Sequence, residues 1–362
     1  MALTSVTGYT PQTLIKNMRT IGGGKNFLTD FLGGGGRMHS TEAITLAETA
    51  GTVRLLPAIG HDAMATPMAM PGSTILSIVP PRIRVSVALN EDVASQPMYG
   101  DDSYAGSQTD LNAGLRARVA YEQRLIKESL AMTIENHFAA LISTGTATFL
   151  DVDGTARYTI SFSFTGNGVT AGDSLNIQPA LTGTAAWDKG SARILYLLNT
   201  WERQIRAYSD YGGRLAVIIG YDVEDAILHD TKLASLLDNR RMVMGQLHPA
   251  GENNYVGSIG RFDLYSYTRS IRGSVGSTVT DLWNPKTVAM VPVEGSAISL
   301  HYGAVFENLS GAPGGRCGWI TTDYYSKIYA SDDPPSDILI VESRPAPLLE
   351  DIRPIRICRV IV

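Results

Sequence analysis

The stretch RTIGGGKNFLTDFLGGGGRMHST, from Arg19 to Thr41, sets two glycine clusters around a short apolar knot, with Lys25 directly after the first cluster. Glycines followed by a lysine are the raw material of a phosphate cradle, in which backbone N–H groups and the lysine surround the phosphates and a hydroxyl meets magnesium. Such a loop needs a glycine, four residues, then Gly-Lys-Ser/Thr. Here Arg19 occupies the first glycine position, Asn26 the hydroxyl position, and no apolar strand precedes the motif. The residues that would do the chemistry are missing. The glycines are better read as joints on either side of Phe27, Leu28, Phe31 and Leu32, which fall on one face of a helical turn and a half.

Other reactive residue types are present without a reactive arrangement. Glu91-Asp92, Asp101-Asp102 and Asp332-Asp333 are paired acids, but neighbours in extended chain point to opposite faces and are poor partners for acid–base work. His39 with Glu42, and His61 with Asp62, are the local pairs with ligand-capable atoms, and neither approaches a metal pattern such as H-E-x-x-H. Ser343 lies in VESRP, not in G-x-S-x-G. Met64, Met68 and Met70 read as adaptable loop contacts rather than a soft-metal site. The four tryptophans read as core or interface anchors. No catalytic residue, cofactor or metal site is expected.

Composition narrows the class further. The 362 residues are 44% hydrophobic and 18% charged, a folded chain with a real core. A net charge of −5 gives no general basic field for wrapping nucleic acid. The first fifteen residues contain no Lys or Arg and no continuous apolar run, which argues against a secretory signal. The charge-sparse run 63–81 is broken by Pro67, Pro71, Gly72 and Pro80-Pro81, so it reads as an extended loop and no membrane partner is expected. Cys317 and Cys358 fit a reducing compartment, with a single bridge between them as the alternative.

The elements that must position these residues follow in order. After a glycine-rich arm, two extended runs flank a long loop between Ile44 and Asp92. In the second, Ile83, Val85, Val87 and Leu89 alternate with Arg82, Arg84, Ser86 and Ala88 as in a half-exposed strand. Asp110 to Ile142 reads as a helix capped by Asp110, its stripe running through Leu111, Leu115, Val119, Leu125 or Ile126, Leu130, Ile134, Phe138 and Leu141. At 1.5 Å per residue it spans ~50 Å, the length of a spine. A hairpin with an Asp153-Gly154 turn follows. Asp188 then caps a helix with the stripe Ile194, Leu198, Trp201, Ile205 and Tyr208. RLAVIIG is a buried strand, Asp222 caps a shorter helix through Leu228, and the apolar tail ends in a strand. The fold class is α+β.

This order resembles the major capsid proteins of tailed bacteriophages, of the lambda major head protein family with the Hong Kong 97 capsid fold. The matching stretches are NFLTDFLGGGGRMHSTEAITL, PPRIRVSVALNEDV, GLRARVAYEQRLIKESLAMTIENHFAALISTGTATF with its DVDG hairpin, and YYSKIYASDDPPSDILIVESRPAPLLED. The resemblance implies an N-terminal arm over 1–42 and an extended loop over 43–95. It further implies a peripheral domain with spine helix and hairpin over 96–185, an axial domain over 186–318, and a C-terminal return over 319–362. It implies a virion shell protein, assembled in the bacterial cytoplasm around double-stranded DNA. Its partners would be copies of itself in hexamers and pentamers, a portal, a separate scaffolding protein and a cement or decoration protein. Phe27, Leu28, Phe31, Leu32, Met64, Met68, Met70, Ile83, Val85 and Val87 are the expected subunit contacts. Some proteins of this fold join a loop lysine to a neighbour's asparagine, but this chain has no lysine between Lys25 and Lys127, so a noncovalent shell is expected. An encapsulin-like compartment and a soluble α/β hydrolase or ligand-binding domain are the rival readings.

Overall fold

The computed structural model describes residues 14–16, 26–33, 36–49, 73–89, 108–151, 154–162, 176–189, 193–209, 211–230, 254–272, 279–293, 297–308, 317–332 and 335–362. The described helices are α1 (Phe27–Leu32), α2 (Gln108–Thr144), α3 (Ile194–Ser209) and α4 (Tyr221–Leu228). The strands are β1 (Arg37–Met38), β2 (Ile44–Thr49), β3 (Ser73–Ile78), β4 (Ile83–Leu89), β5 (Thr146–Leu150), β6 (Ala156–Ser161), β7 (Leu215–Ile219), β8 (Tyr255–Ile259) and β9 (Phe262–Ser266). They continue as β10 (Ser270–Arg272), β11 (Val279–Asp281), β12 (Thr287–Pro292), β13 (Ile298–Tyr302), β14 (Val305–Asn308) and β15 (Cys317–Ile320). The last are β16 (Tyr325–Asp332), β17 (Pro335–Ser343), β18 (Pro345–Leu349) and β19 (Arg356–Arg359).

The chain divides into two compact units, each assembled from separated stretches. The first comprises 1–44, 77–135 and 300–348. Its centre is the antiparallel sheet β16-β17-β4, in which Val87 pairs with Leu339 and Leu339 with Ile328. Because side chains alternate along a strand, Ile83, Val87, Leu339, Val341 and Ile328 share one face. That face packs on Ile126 and Leu130 of α2. Leu14, Leu89 and Val119 extend the same core. Of the two candidates for the helix stripe, Ile126 is buried and Leu125 exposed.

The second unit comprises 45–76, 136–299 and 349–362. Its sheet runs β19-β12-β7-β9-β8, with β7 and β9 parallel and the other pairs antiparallel. All five residues of β7 and all six of β12 are buried, the mark of central strands covered on both faces. Ile194, Leu198, Trp201 and Ile205 of α3 and Val223 and Ile227 of α4 join this core. The β5–β6 hairpin closes through Asp151 N–H to Thr155 O and Gly154 N–H to Asp151 O, with Gly154 at φ 81.

Four expectations from sequence need correction. The long helix α2 begins at Gln108, so Asp110 lies inside it rather than capping it. Asp188 does not cap α3, which begins at Ile194; it pairs instead with Lys189 at 2.9 Å. Tyr208, expected in the buried stripe, lies exposed near the helix end. Gly220, not Asp222, occupies the cap position of α4, and Asp222 sits in its first turn, where an acid favours the helix dipole. The glycine is required for space rather than for unusual backbone geometry. A Cβ at Gly220 would lie 2.3 Å from the carbonyl oxygen of Pro285, so backbone would have to shift.

Gly220→Ala is therefore expected to destabilise the chain by ~1–3 kcal/mol or more, as overpacking against fixed atoms does, read as a lower denaturant midpoint at unchanged slope. His137 makes a second prediction. It is buried, its ring centroid 3.9 Å from that of Phe149, and burial pushes its imidazole down to about 4. The unfolded chain takes up that proton near ~6.5. Its contribution to stability is thus whole above that value and falls as the pH drops towards 4, by about 3 kcal/mol in all. Unfolding of His137→Phe at pH 7 and near pH 4.5 checks the sign, since the variant should lose less on acidification than the parent.

Candidate assembly surfaces

The face of the β16-β17-β4 sheet opposite α2 carries Arg84, Glu342 and Tyr325 in one cross-strand row. Glu342 is 0% exposed and Glu307, on β14, is nearly so. A buried carboxylate persists only when paired and hydrogen-bonded. Arg82 meets Glu342 through two bonds, Nε to Oε1 at 2.6 Å and Nη2 to Oε2 at 2.5 Å. Arg84 reaches Glu307 at 3.3 Å, Lys327 donates to Glu307, and Arg344 lies 3.8 Å from Glu342 and 2.7 Å from Glu42. The Glu342 hydrogen bond raises the Arg82 guanidinium further above its usual value. Burial, with the charges of Glu307 and Glu342 behind it, pushes the Tyr325 hydroxyl up to about 12. This network ties Arg82 and Arg84, at the start of β4, to β14, β16, β17 and the residue that follows β17.

A third buried carboxylate holds the start of α1. Glu135, on α2, accepts from the backbone N–H groups of Leu28 at 2.8 Å and Thr29 at 2.9 Å, and from the Thr29 hydroxyl at 2.7 Å. It thereby satisfies N–H groups that the first turn of α1 leaves without intrahelical acceptors. Downstream, β1 pairs in parallel with β13, and His39 Nε2 lies 2.7 Å from His301 Nδ1. Gly36 has φ 75, and a Cβ there would press on the Tyr302 ring at 2.8 Å, so the backbone just before β1 passes in close contact with β13.

The expected contact residues divide accordingly. Leu28 and Leu32 are buried inside their own subunit, while Phe27 and Phe31 stack at 5.1 Å and stay half-buried. Ile83 and Val87 pack towards α2, and Val85 is 38% exposed. Met64, Met68 and Met70 lie outside the described residues. So do Glu91-Asp92, Asp101-Asp102, His61-Asp62 and Asp333. His39 engages His301, and Glu42 engages Arg344, rather than each other. Cys317 and Cys358 are both free thiols, and burial pushes Cys358 up to about 11.

Glu135, Glu307 and Glu342 escaped the sequence reading, because nothing in a single sequence distinguishes a buried glutamate from a solvated one. Among the described residues no three His, Cys, Asp or Glu side chains are grouped to hold a metal ion. No described helix is long and apolar enough to cross a membrane. The second unit has an open depression of about 430 Å³ lined by Asp188, Asp222, Asp225 and Asp230. Its one His–Asp approach, His229 Nδ1 to Asp225 Oδ1 at 3.2 Å, is more than three-quarters solvent-exposed on both sides, unlike the sheltered base a hydrolase needs.

This architecture is similar to that of a solved prophage capsid protein. The protein assigned as the capsid protein of a prophage of E. coli CFT073 superposes with a TM-score of 0.67 at 15% identity, over 99% of each chain. A phage-related protein of Bordetella bronchiseptica RB50 gives 0.50 at 10% identity over 96% of each. The capsid chain of cyanophage A-1(L) gives 0.48 at 11% identity over 93% of each. No curated protein matches the sequence. The chain thus has the fold of the Hong Kong 97-type phage shell proteins. The model of phage major capsid protein E matches residues 10–360, and the chain belongs to that family. It is a shell-forming head protein of the phage virion, and its family is structural rather than enzymatic.

The ion network yields a comparison of substitutions. Glu342→Gln removes the charge that Arg82, itself 40% exposed at the side chain, meets through its two short bonds, and leaves it Glu307 at 3.4 Å. A loss of about 1–3 kcal/mol is expected, less than for a fully buried pair. Glu128→Gln removes the exposed Arg124 pair and should change stability by less than about 0.5 kcal/mol. Equal effects in denaturant titrations would show that burial of the network is immaterial.

Proposed function

We propose that this chain builds an icosahedral head around double-stranded DNA, its arm over 1–42 and loop over 43–95 reaching neighbouring copies, with no covalent weld between them. The remaining segments keep the roles inferred from sequence: peripheral domain over 96–185, axial domain over 186–318 and C-terminal return over 319–362. The observation that carries this reading is how the two adhesive elements are rooted. Glu135 holds the start of α1, with Leu28 and Leu32 inside and the Phe27–Phe31 stack half-buried. Arg82 and Arg84 hold the base of the loop's return strand through Glu342 and Glu307. Rigid roots let a contact element be presented at little entropic cost.

Within that reading, Val85 and the Phe27–Phe31 stack contribute contact surface, while Leu28, Leu32, Ile83 and Val87 support it from inside. Met64, Met68 and Met70 supply adaptable apolar contacts suited to the slightly different positions of one chain in hexamers and pentamers. Assembly takes place in the bacterial cytoplasm with a separate scaffolding protein, a portal and a cement protein. A net charge of −5 fits few DNA phosphate contacts on the inner face.

The absence of lysine between Lys25 and Lys127 leaves the loop without an amine for a loop-lysine crosslink. Purified particles run on a denaturing gel should give one band near 39.0 kDa. A ladder of covalent multimers would overturn the noncovalent reading.

A further inference from the structure

We propose that the outer face of the β14–β15 ribbon, made by Phe306 and Trp319, is a docking surface for a second copy of this chain. The two residues are directly opposed in the antiparallel register. Their rings meet edge to face at 5.1 Å, and they remain 48% and 46% exposed. The ribbon is amphipathic in an unusual sense. Its inner side places Val305 and Glu307 in the protein interior, Glu307 held by Arg84 and Lys327. Its outer side offers the aromatic pair to solvent.

The pair is also held still. The Arg344 guanidinium lies 5.9 Å from the Trp319 ring centroid and is fixed in turn by Glu42 and Glu342. Aromatic side chains on a fixed support lose little freedom on binding, which is why such residues dominate interface energetics. A two-stranded ribbon is marginal alone. This one is braced from within, so its solvent face is not needed for its own folding.

Size decides the occupant. A buried aromatic contributes 150–250 Å², so two half-exposed rings offer roughly 200 Å². An independent partner binding alone needs about 800 Å² on each side. A second copy of this chain escapes that requirement. It is held in the shell by other contacts at the same time, and a small patch then acts at high effective concentration. The inference rests on the shell-forming role and goes beyond the arm and loop contacts.

The test uses an inbuilt reporter. Trp187, Trp201 and Trp283 are buried, and Trp319 alone among the four tryptophans is substantially exposed. Acrylamide quenching of tryptophan emission should show one accessible fluorophore in subunits released from shells under conditions that keep their near-ultraviolet circular dichroism. In intact shells of the same protein it should fall to the level of the three buried ones. Equal quenching in shells and free subunits would overturn the proposal. So would protection that arises only when a different protein is added to bare shells. The pair F306S/W319S should keep the unfolding midpoint and raise the free-subunit concentration in equilibrium with shells about tenfold or more, equivalent to 1.4 kcal/mol. A folded variant that assembles as the parent does would also refute it, whereas loss of shells in the parent would refute the shell reading itself.

Discussion

Two carboxylates buried in the first unit, Glu342 and Glu307, set the constraint on which its organisation depends. Neither could stay charged away from water without close cations, and the cations come from distant places: Arg82 and Arg84 ahead of and within β4, Lys327 on β16, and Arg344 just after β17. A bond between positions 82 and 342 spans 260 residues of sequence. Such a network adds little net stability compared with an apolar replacement, because desolvation offsets most of the attraction. What it supplies is position. A slip of β4 by one residue would turn Arg84 into the α2 interface and Val85 towards Glu342, so the ion pairs and the apolar face specify the same register.

The second unit is held by different physics. Its central strands β7 and β12 are buried along their whole length, and the residues around them are aliphatic or aromatic. Stability there comes from apolar area and close packing, with contacts tight enough that Gly220 has no room for a methyl group against Pro285. The ionic network belongs to the first unit and the dry sheet to the second. Added salt acts on the first by screening, while the apolar core of the second is largely indifferent to it.

Much of this was legible in the sequence because periodicity survives without partners. The alternation of Ile83, Val85, Val87 and Leu89 marks β4, and the stripe from Val119 to Leu141 marks α2. The unbroken apolar run RLAVIIG marks a central strand. Caps were less legible. Asp188 and Asp222 each precede an apolar stripe, yet Asp188 turns to Lys189, and the α4 cap falls to a glycine whose need is spatial. The candidate surfaces were least legible. Phe27 and Leu28 are adjacent and equally apolar, but one is half-buried and the other fully buried, a difference set by Glu135 more than a hundred residues away. The arginines of β4 had the pattern of solvated positions, and only the fold brings Glu307 and Glu342 beneath them.

The same logic bears on why, in the proposed reading, the contact elements would be held by polar anchors at their roots. A purely apolar anchor is nondirectional; it would resist removal of a segment such as α1 but tolerate sliding. Three hydrogen bonds from Leu28 and Thr29 to Glu135, and the paired bonds from Arg82 to Glu342, fix orientation as well as distance. A subunit that closes rings through heterologous contacts must meet each neighbour at a defined angle, because small angular errors accumulate around the ring. Direction at both points is therefore supplied by side chains rather than by apolar packing, and those side chains are the buried acids that sequence alone could not single out.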